Sequence, residues 1–193
     1  KRQVLAAAAC GWRYGLDLEE IAAALAGLEP LPGRLKPLAG RDDILVLDDT
    51  FSATPAAVHA ALDVLASLPG RPRIAVLGDM SGLGESEKDA HRSLGGPIAR
   101  SADALVACGE SMRLAAQEAV RAGLPAERVS IVYTPQDALR AVERLRHPGA
   151  TILVKGAAEG RLEEVVRGLL LEPELADQHL VRQGPQWRAV RLK

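Results

Sequence analysis

The chain predicts an α/β fold: an open, mostly parallel sheet with helices on both faces, preceded by a short helical segment. Three observations carry that expectation. Short apolar runs alternate with helix-length segments from residue 33 onward. Two of these runs, at 44–47 and 74–77, contain no polar residue and have the length of strands buried on both faces. The pair Thr54-Pro55 is repeated as Thr134-Pro135, a hydroxyl cap followed by a proline whose missing N–H costs nothing at a helix's first position.

Taken in order, residues 1–30 read as two helices, at 3–14 and 18–28, broken at Gly15 and ended by Pro30 and Pro32. They precede any strand and read as the tail of something larger, the alternative being a hairpin packed on the domain that follows, 31–193. Strands are expected at 34–38, 44–47, 74–77, 104–107, 129–133 and 151–154. Helices are expected at 55–68, 87–101, 110–123, 135–146 and 159–171. In the first of these, Val58, Ala61, Leu62 and Leu65 form one apolar stripe, with His59 and Asp63 on the other side. Segments 179–182 and 187–192, around Gln183-Gly184-Pro185, read as a hairpin or edge strands. The regular alternation makes the main domain Rossmann-like.

Composition narrows the function. A formal net charge of −1 over 193 residues leaves no electrostatic footprint for nucleic acid or an anionic membrane. No apolar run approaches a membrane span, and the opening KRQVLAAAACGWRYG has too short an apolar stretch for a secretory signal, so a cytoplasmic protein is expected. Cys10 and Cys108 are far apart, and His59, His91, His147 and His179 form no metal-ligand spacing. No metal is expected on this chain. Asparagine is absent and arginine far outnumbers lysine, as in a GC-rich or heat-adapted source.

In an open parallel sheet, ligands gather beyond the carboxyl ends of the strands. That edge is expected to collect Asp48, Asp49 and Thr50 after one strand, Asp79 after the next, Gly109 and Glu110 after the third, and Lys155 with Gly156 after the last. A cation ending the apolar run TILV is placed to meet an anion or an edge carboxylate. There is no Gly-Lys pair, so no P-loop. Gly82-Leu83-Gly84 begins a dinucleotide fingerprint but Glu87 stands where its third glycine belongs, and G-x-S-x-G is missing.

Four segments resemble the C-terminal domain of the Mur ligases. PGRL at 32–35 resembles the domain-joining P-G-R, and LDDTFSATPAAVHAALDVLA at 47–66 resembles D-D-S-Y-N-A-N-P-x-S-M-x-A-A-L. AVLGDMSGLGESEKDAH at 75–91 resembles L-G-D-M-x-E-L-G-x-x-S-x-x-x-H, and LVKGAAEGRLEEVV at 153–166 resembles V-K-G-S-R-x-x-x-M-E. The third segment is the most specific and points to the branch that adds D-alanyl-D-alanine to a UDP-muramoyl tripeptide.

The resemblance implies an ATP-dependent ligase that forms an acyl phosphate and lets an amine attack it. ATP and Mg2+ would be held mainly by a central ATPase domain, of which residues 1–30 would be the closing helices; 31–193 would be the amine-donor domain. Arg34 would reach the nucleotide phosphates and Asp49 the ribose. Thr50, Ser52, Thr54, Asp79, Met80, His91 and the Lys155 loop would border the donor, with His91 equally readable as a structural hydrogen-bonder. The family's asparagines are Ser52 and Thr54 here, which keep a hydrogen-bonding oxygen. K-G-S-R has become Lys155-Gly156-Ala157-Ala158, leaving Arg161 as the substitute guanidinium. A monomer, inactive without its other domains, is expected. The alternatives are another Mur-type or polyglutamate-type ligase and a non-catalytic nucleotide-binding module.

Overall fold

A computed structural model describes residues 2–188. The chain divides into two units, Lys1–Pro30 and Leu31–Lys193. In the first, α1 (Arg2–Arg13) and α2 (Leu18–Ala26) form a helix pair. Asp17 and Glu20 close a reciprocal capping box at the start of α2, each side chain accepting the other's backbone N–H at 2.8–2.9 Å.

Among the described residues the second unit is built on six strands: β1 (Lys36–Ala39), β2 (Leu45–Asp49), β3 (Arg73–Gly78), β4 (Ala104–Cys108), β5 (Val129–Val132) and β6 (Thr151–Lys155). Their order is β1-β2-β6-β3-β4-β5. All neighbours are parallel except β1, which runs antiparallel to β2 at the edge. Its one proline, Pro37, is tolerated there because an edge strand has backbone groups outside the ladder.

Side chains alternate across the pleat and feed two cores. Val46, Ile74, Val76, Val106, Ile152 and Val154 join α7 (Pro135–Leu145) and α8 (Glu163–Leu169) on one face. Leu47, Ala75, Leu77, Leu105 and Leu153 join α3 (Pro55–Ser67), α5 (Gly95–Ser101) and α6 (Met112–Arg121) on the other. The expected stripe Val58, Ala61, Leu62, Leu65 is the buried face of α3. Both hydroxyl-proline starts are helix caps: Thr54 Oγ1 accepts from Ala57 N at 3.3 Å and Thr134 Oγ1 from Asp137 N at 3.1 Å. Among the described residues no helix is long and apolar enough to cross a membrane.

Several expected bounds move. The first strand begins at Lys36 because Gly33 (φ 69) and Leu35 (φ 53) take left-handed backbone, which no strand accommodates. β2 extends through Asp48 and Asp49. The helix expected at 87–101 is two, α4 (Glu87–Ser93) and α5, because Pro97 has no N–H to return to Ser93. The helix expected at 159–171 shortens to α8 after a 3-10 turn at Ala158–Gly160. Among the described residues the expected C-terminal hairpin or edge strands are not formed. Residues 176–179 make the short helix α9 (Ala176–His179), with Ala176 and Leu180 buried four residues apart, a helical and not a strand spacing. Arg182 adopts φ 57, and Pro185 opens α10 (Pro185–Arg188). The remainder of the expected strand 187–192 lies outside the described residues.

The two-core arrangement predicts that Leu62→Ala, at a fully buried position, lowers the unfolding free energy by about 2–5 kcal/mol. Asp63→Ala on the exposed side of the same helix should change it by less than about 0.5 kcal/mol in the same urea titration.

Candidate functional site

The carboxyl ends of β2, β6 and β3 lie side by side, Asp49 in register with Lys155 and Lys155 with Leu77. Here the chain parts: α3, after β2, belongs to one core and α8, after β6, to the other. Such a switch point leaves a crevice at the strand ends.

Lys155 lies in it at 2% exposure. Its ammonium is 2.7 Å from Asp49 Oδ2 and donates to Ser52 O at 2.8 Å. A buried charge persists only when paired and hydrogen-bonded, and Lys155 is both. Asp49 Oδ1 also accepts from Leu35 N at 3.2 Å. Burial lifts the Asp49 carboxyl above its ordinary range, and the Lys155 ammonium pulls it the other way. Asp48, also lifted by burial, accepts from Gly33 N at 2.9 Å, Thr50 N at 3.2 Å and Thr50 Oγ1 at 2.6 Å.

The two carboxylates thus hold the backbone of 33–35. Gly33 is required there: besides its left-handed φ, a Cβ would stand 2.9 Å from Phe51 N. Arg34 is presented outward. Its Cζ lies 3.9 Å from the Phe51 ring centroid, with Nη1 3.4 Å from Ser52 Oγ. Both residues are exposed, leaving a cation on an aromatic plane at the rim.

The turn after β3 is fixed from two sides. Asp79 Oδ1 accepts from Met112 N at 2.6 Å and Oδ2 from Ser111 N at 3.4 Å, a carboxylate on the start of α6. Its side chain keeps 39% exposure. Gly109 (φ 129) must lack a side chain, since a Cβ would collide with that carboxylate. His91, fully buried, accepts from Met80 N through Nε2 at 3.1 Å and donates Nδ1–H to Glu87 O at 2.8 Å. Both ring nitrogens are therefore engaged in holding the turn.

A second charged cluster lies behind the rim. Glu163, at 0% exposure, receives Arg161 Nε at 2.6 Å and Arg182 Nη2 and Nε at 2.6 and 2.9 Å. Burial opposes its ionisation, but these guanidinium contacts outweigh it and hold the carboxyl below the ordinary carboxylate value.

The structure therefore gathers Arg34, Asp49, Thr50, Ser52 and Lys155 around the ends of β2 and β6, with Thr54 capping α3 beside them. Asp79, Met80 and His91 form the adjoining turn. Arg161 stands apart: its guanidinium contacts Glu163, Trp187 O at 2.9 Å and Glu164 at 3.4 Å. Sequence reasoning missed Phe51, Glu163 and Arg182. Phe51, between Thr50 and Ser52, lies inside the segment 47–66 without a partner that the local pattern announces; nothing in the pattern pairs Glu163 with Arg182.

An open, mostly parallel α/β sheet with paired charges at the ends of its central strands defines the class: a doubly wound α/β domain. The family described as Mur ligase, glutamate ligase domain matches residues 33–158, and the chain belongs to that family. It is 36% identical over 170 residues to the UDP-N-acetylmuramoyl-tripeptide--D-alanyl-D-alanine ligase of Escherichia coli (strain K12), covering 86% of this chain and 35% of that protein. The Bacillus subtilis (strain 168) protein of the same name is 30% identical over 171 residues, covering 88% and 37%. A crystal structure of MurF from Acinetobacter baumannii superposes with a TM-score of 0.70 at 27% identity, covering 84% of this chain and 35% of that one. The chain spans about a third of the length of the curated relatives it matches.

The Glu163 cluster generates a pH prediction. Because the folded-state value is depressed, the stability that Glu163 contributes is present above its ordinary value of 4.5 and lost as pH falls below it. Glu163→Gln should cost about 3–5 kcal/mol at neutral pH. The gap from wild type should narrow on acidification below 4.5 in urea titrations; a gap that stays constant would contradict the assignment.

Proposed function

We propose that this chain is the C-terminal, amine-donor domain of an ATP-dependent amide ligase that adds D-alanyl-D-alanine to UDP-N-acetylmuramoyl-tripeptide in peptidoglycan precursor synthesis. Family membership and the names of the relatives supply the reaction class. The observation that carries the reading is the convergence of Arg34, Asp49, Asp79 and Lys155 on one rim, at the ends of adjacent parallel strands, in a sequence that carries no Gly-Lys phosphate loop.

In this reading a carboxylate of the tripeptide takes the terminal phosphoryl group of ATP, releasing ADP. The donor's amine then attacks the acyl carbon, the phosphate departs, and the nitrogen loses a proton to leave the amide. The rim's contribution is placement and exclusion of water from the acyl phosphate. Arg34, the exposed guanidinium, meets the nucleotide phosphates as a charge-assisted donor, and Asp49 the ribose hydroxyls. Ser52, Thr54 and the half-exposed carboxylate of Asp79 border the donor. Thr50, Met80, His91 and Lys155 act from beneath, by holding the loops that form its walls.

Residues 1–30 belong in this reading to the central ATPase domain. Among the described residues no group of three or more His, Cys, Asp or Glu side chains could hold a metal ion. In this reading Mg2+, like ATP, is held mainly by the central domain, and no step here is routed through it. In this reading the enzyme works in the cytoplasm, where its nucleotide-linked substrates are, and as a monomer. The change of K-G-S-R to Lys155-Gly156-Ala157-Ala158 favours a second reading on one point, a different amine donor, which a donor panel with the full-length enzyme would expose.

The isolated chain should release no ADP from ATP with D-alanyl-D-alanine, and steady turnover would overturn the proposal. In the full-length enzyme, Arg34→Ala should raise the KM for ATP about 10- to 100-fold, the worth of a hydrogen bond to a charged group. An unchanged value would remove Arg34 from the nucleotide site. Arg161→Ala should raise the donor's KM; if that stays unchanged, Arg161 is only a partner of Glu163.

A further inference from the structure

The loop between β2 and α3 has an unusual support. After Asp49 the ladder ends, and α3 does not begin until Pro55, so the carbonyls of 50–52 have neither strand nor helix to bond. A buried carbonyl left without a donor is costly, and Thr50 is 1% exposed. The structure supplies the donors from two buried cations. Arg182 Nη2 donates to Thr50 O at 2.6 Å and Nη1 to Phe51 O at 3.4 Å, while Lys155 Nζ takes Ser52 O at 2.8 Å. Lys155 enters from β6 and Arg182 from the segment after α9, beyond the part of the chain that the family match covers.

We propose that Arg182 is a positioning residue for the rim: it holds the Thr50–Ser52 loop so that Phe51 and Arg34 are presented to the nucleotide. Three features support this. The side chain is spanned by two jobs at once, a bidentate pair with Glu163 and two loop carbonyls, which the planar fork of a guanidinium can do and an ammonium cannot. Its backbone is left-handed at φ 57, a conformation that a non-glycine residue keeps only where surrounding contacts hold it. The loop it holds passes the constraint on: Phe51 N donates to Gly33 O at 3.1 Å, and Arg34 stacks on the Phe51 ring at 3.9 Å. Arg161 is the third member, keeping the Glu163 carboxylate charged and aimed at Arg182.

The effect on nucleotide binding rests on the reading given under Proposed function; the effect on the loop does not, and the test separates them. Arg182→Met leaves Glu163 paired with Arg161, so no buried charge is orphaned and the domain should fold. In the 193-residue chain, backbone amide exchange followed by NMR should accelerate at Phe51 by about tenfold or more, the loss of one hydrogen bond's worth of protection. Exchange at Val76 and Leu105 in the central strands should stay unchanged. Unaltered exchange at Phe51 would overturn the proposal. Should the methionine variant fail to fold, Arg182→Lys, which keeps a charge on Glu163, is measured the same way and should show the same local acceleration to a smaller degree; none would equally overturn it.

In the full-length enzyme, Arg182→Met should raise the KM for ATP about tenfold, leave kcat within about twofold, and leave the KM for the UDP-linked substrate unchanged, with Arg182→Lys recovering part of the loss. A fall in kcat with the KM for ATP unmoved would overturn the positioning role. If Arg34→Ala itself leaves the KM for ATP unmoved, the nucleotide reading falls while the exchange measurement still decides whether Arg182 holds the loop.

Discussion

The ion pair between Lys155 and Asp49, 2.7 Å long and nearly sealed from water, is the contact around which the rim is organised. Each partner closes a strand, each is in register with the other, and each reaches beyond the pair: Asp49 to the backbone of Leu35, Lys155 to that of Ser52. Desolvating two charges is expensive, and an apolar pair of similar volume would often be no less stable. What the apolar pair would lack is direction. The charged pair fixes where the entering segment 33–35 and the loop 50–52 sit relative to the sheet, and those two segments carry the exposed arginine and aromatic.

A second layer of charge repeats the logic. Glu163 has no solvent contact and is held ionised by Arg161 and Arg182, so a further pair of segments, after β6 and after α9, is tied to the same loop. The rim thus combines solvent-exposed and half-exposed groups with a buried, hydrogen-bonded scaffold beneath them. Thr50, Met80 and His91 fall on the scaffold side of that division; Arg34, Ser52, Thr54 and Asp79 fall on the open side.

Local chemistry made much of this legible in the sequence. The all-apolar runs at 44–47 and 74–77 are central strands because burial on both faces needs no alternation, and the two Thr-Pro starts are helix caps because hydroxyl and ring each answer one unsatisfied position. The convergence of strand ends followed from the alternation alone. What could not be read was set by distance along the chain. Nothing local announces that Arg182 meets Glu163 and the carbonyls of Thr50 and Phe51, so the segment carrying it reads as a hairpin or edge strand. The helix expected at 87–101 failed for a local reason that was available: Pro97 removes a donor in its middle. The strand expected at 34–38 starts two residues late because Gly33 and Leu35 obey Asp48 and Asp49, whose grip is tertiary.

The sheet order carries a consequence for how the domain is made. β6, the last strand among the described residues, inserts between β2 and β3, which precede it by some 70 residues or more in the chain. On a ribosome the first half of the domain therefore emerges with a gap at its centre and must wait, its strand edges unprotected, until residues 151–155 leave the exit tunnel. The strand that fills the gap is also the one that delivers Lys155, so one segment closes the sheet and places the central charge of the rim.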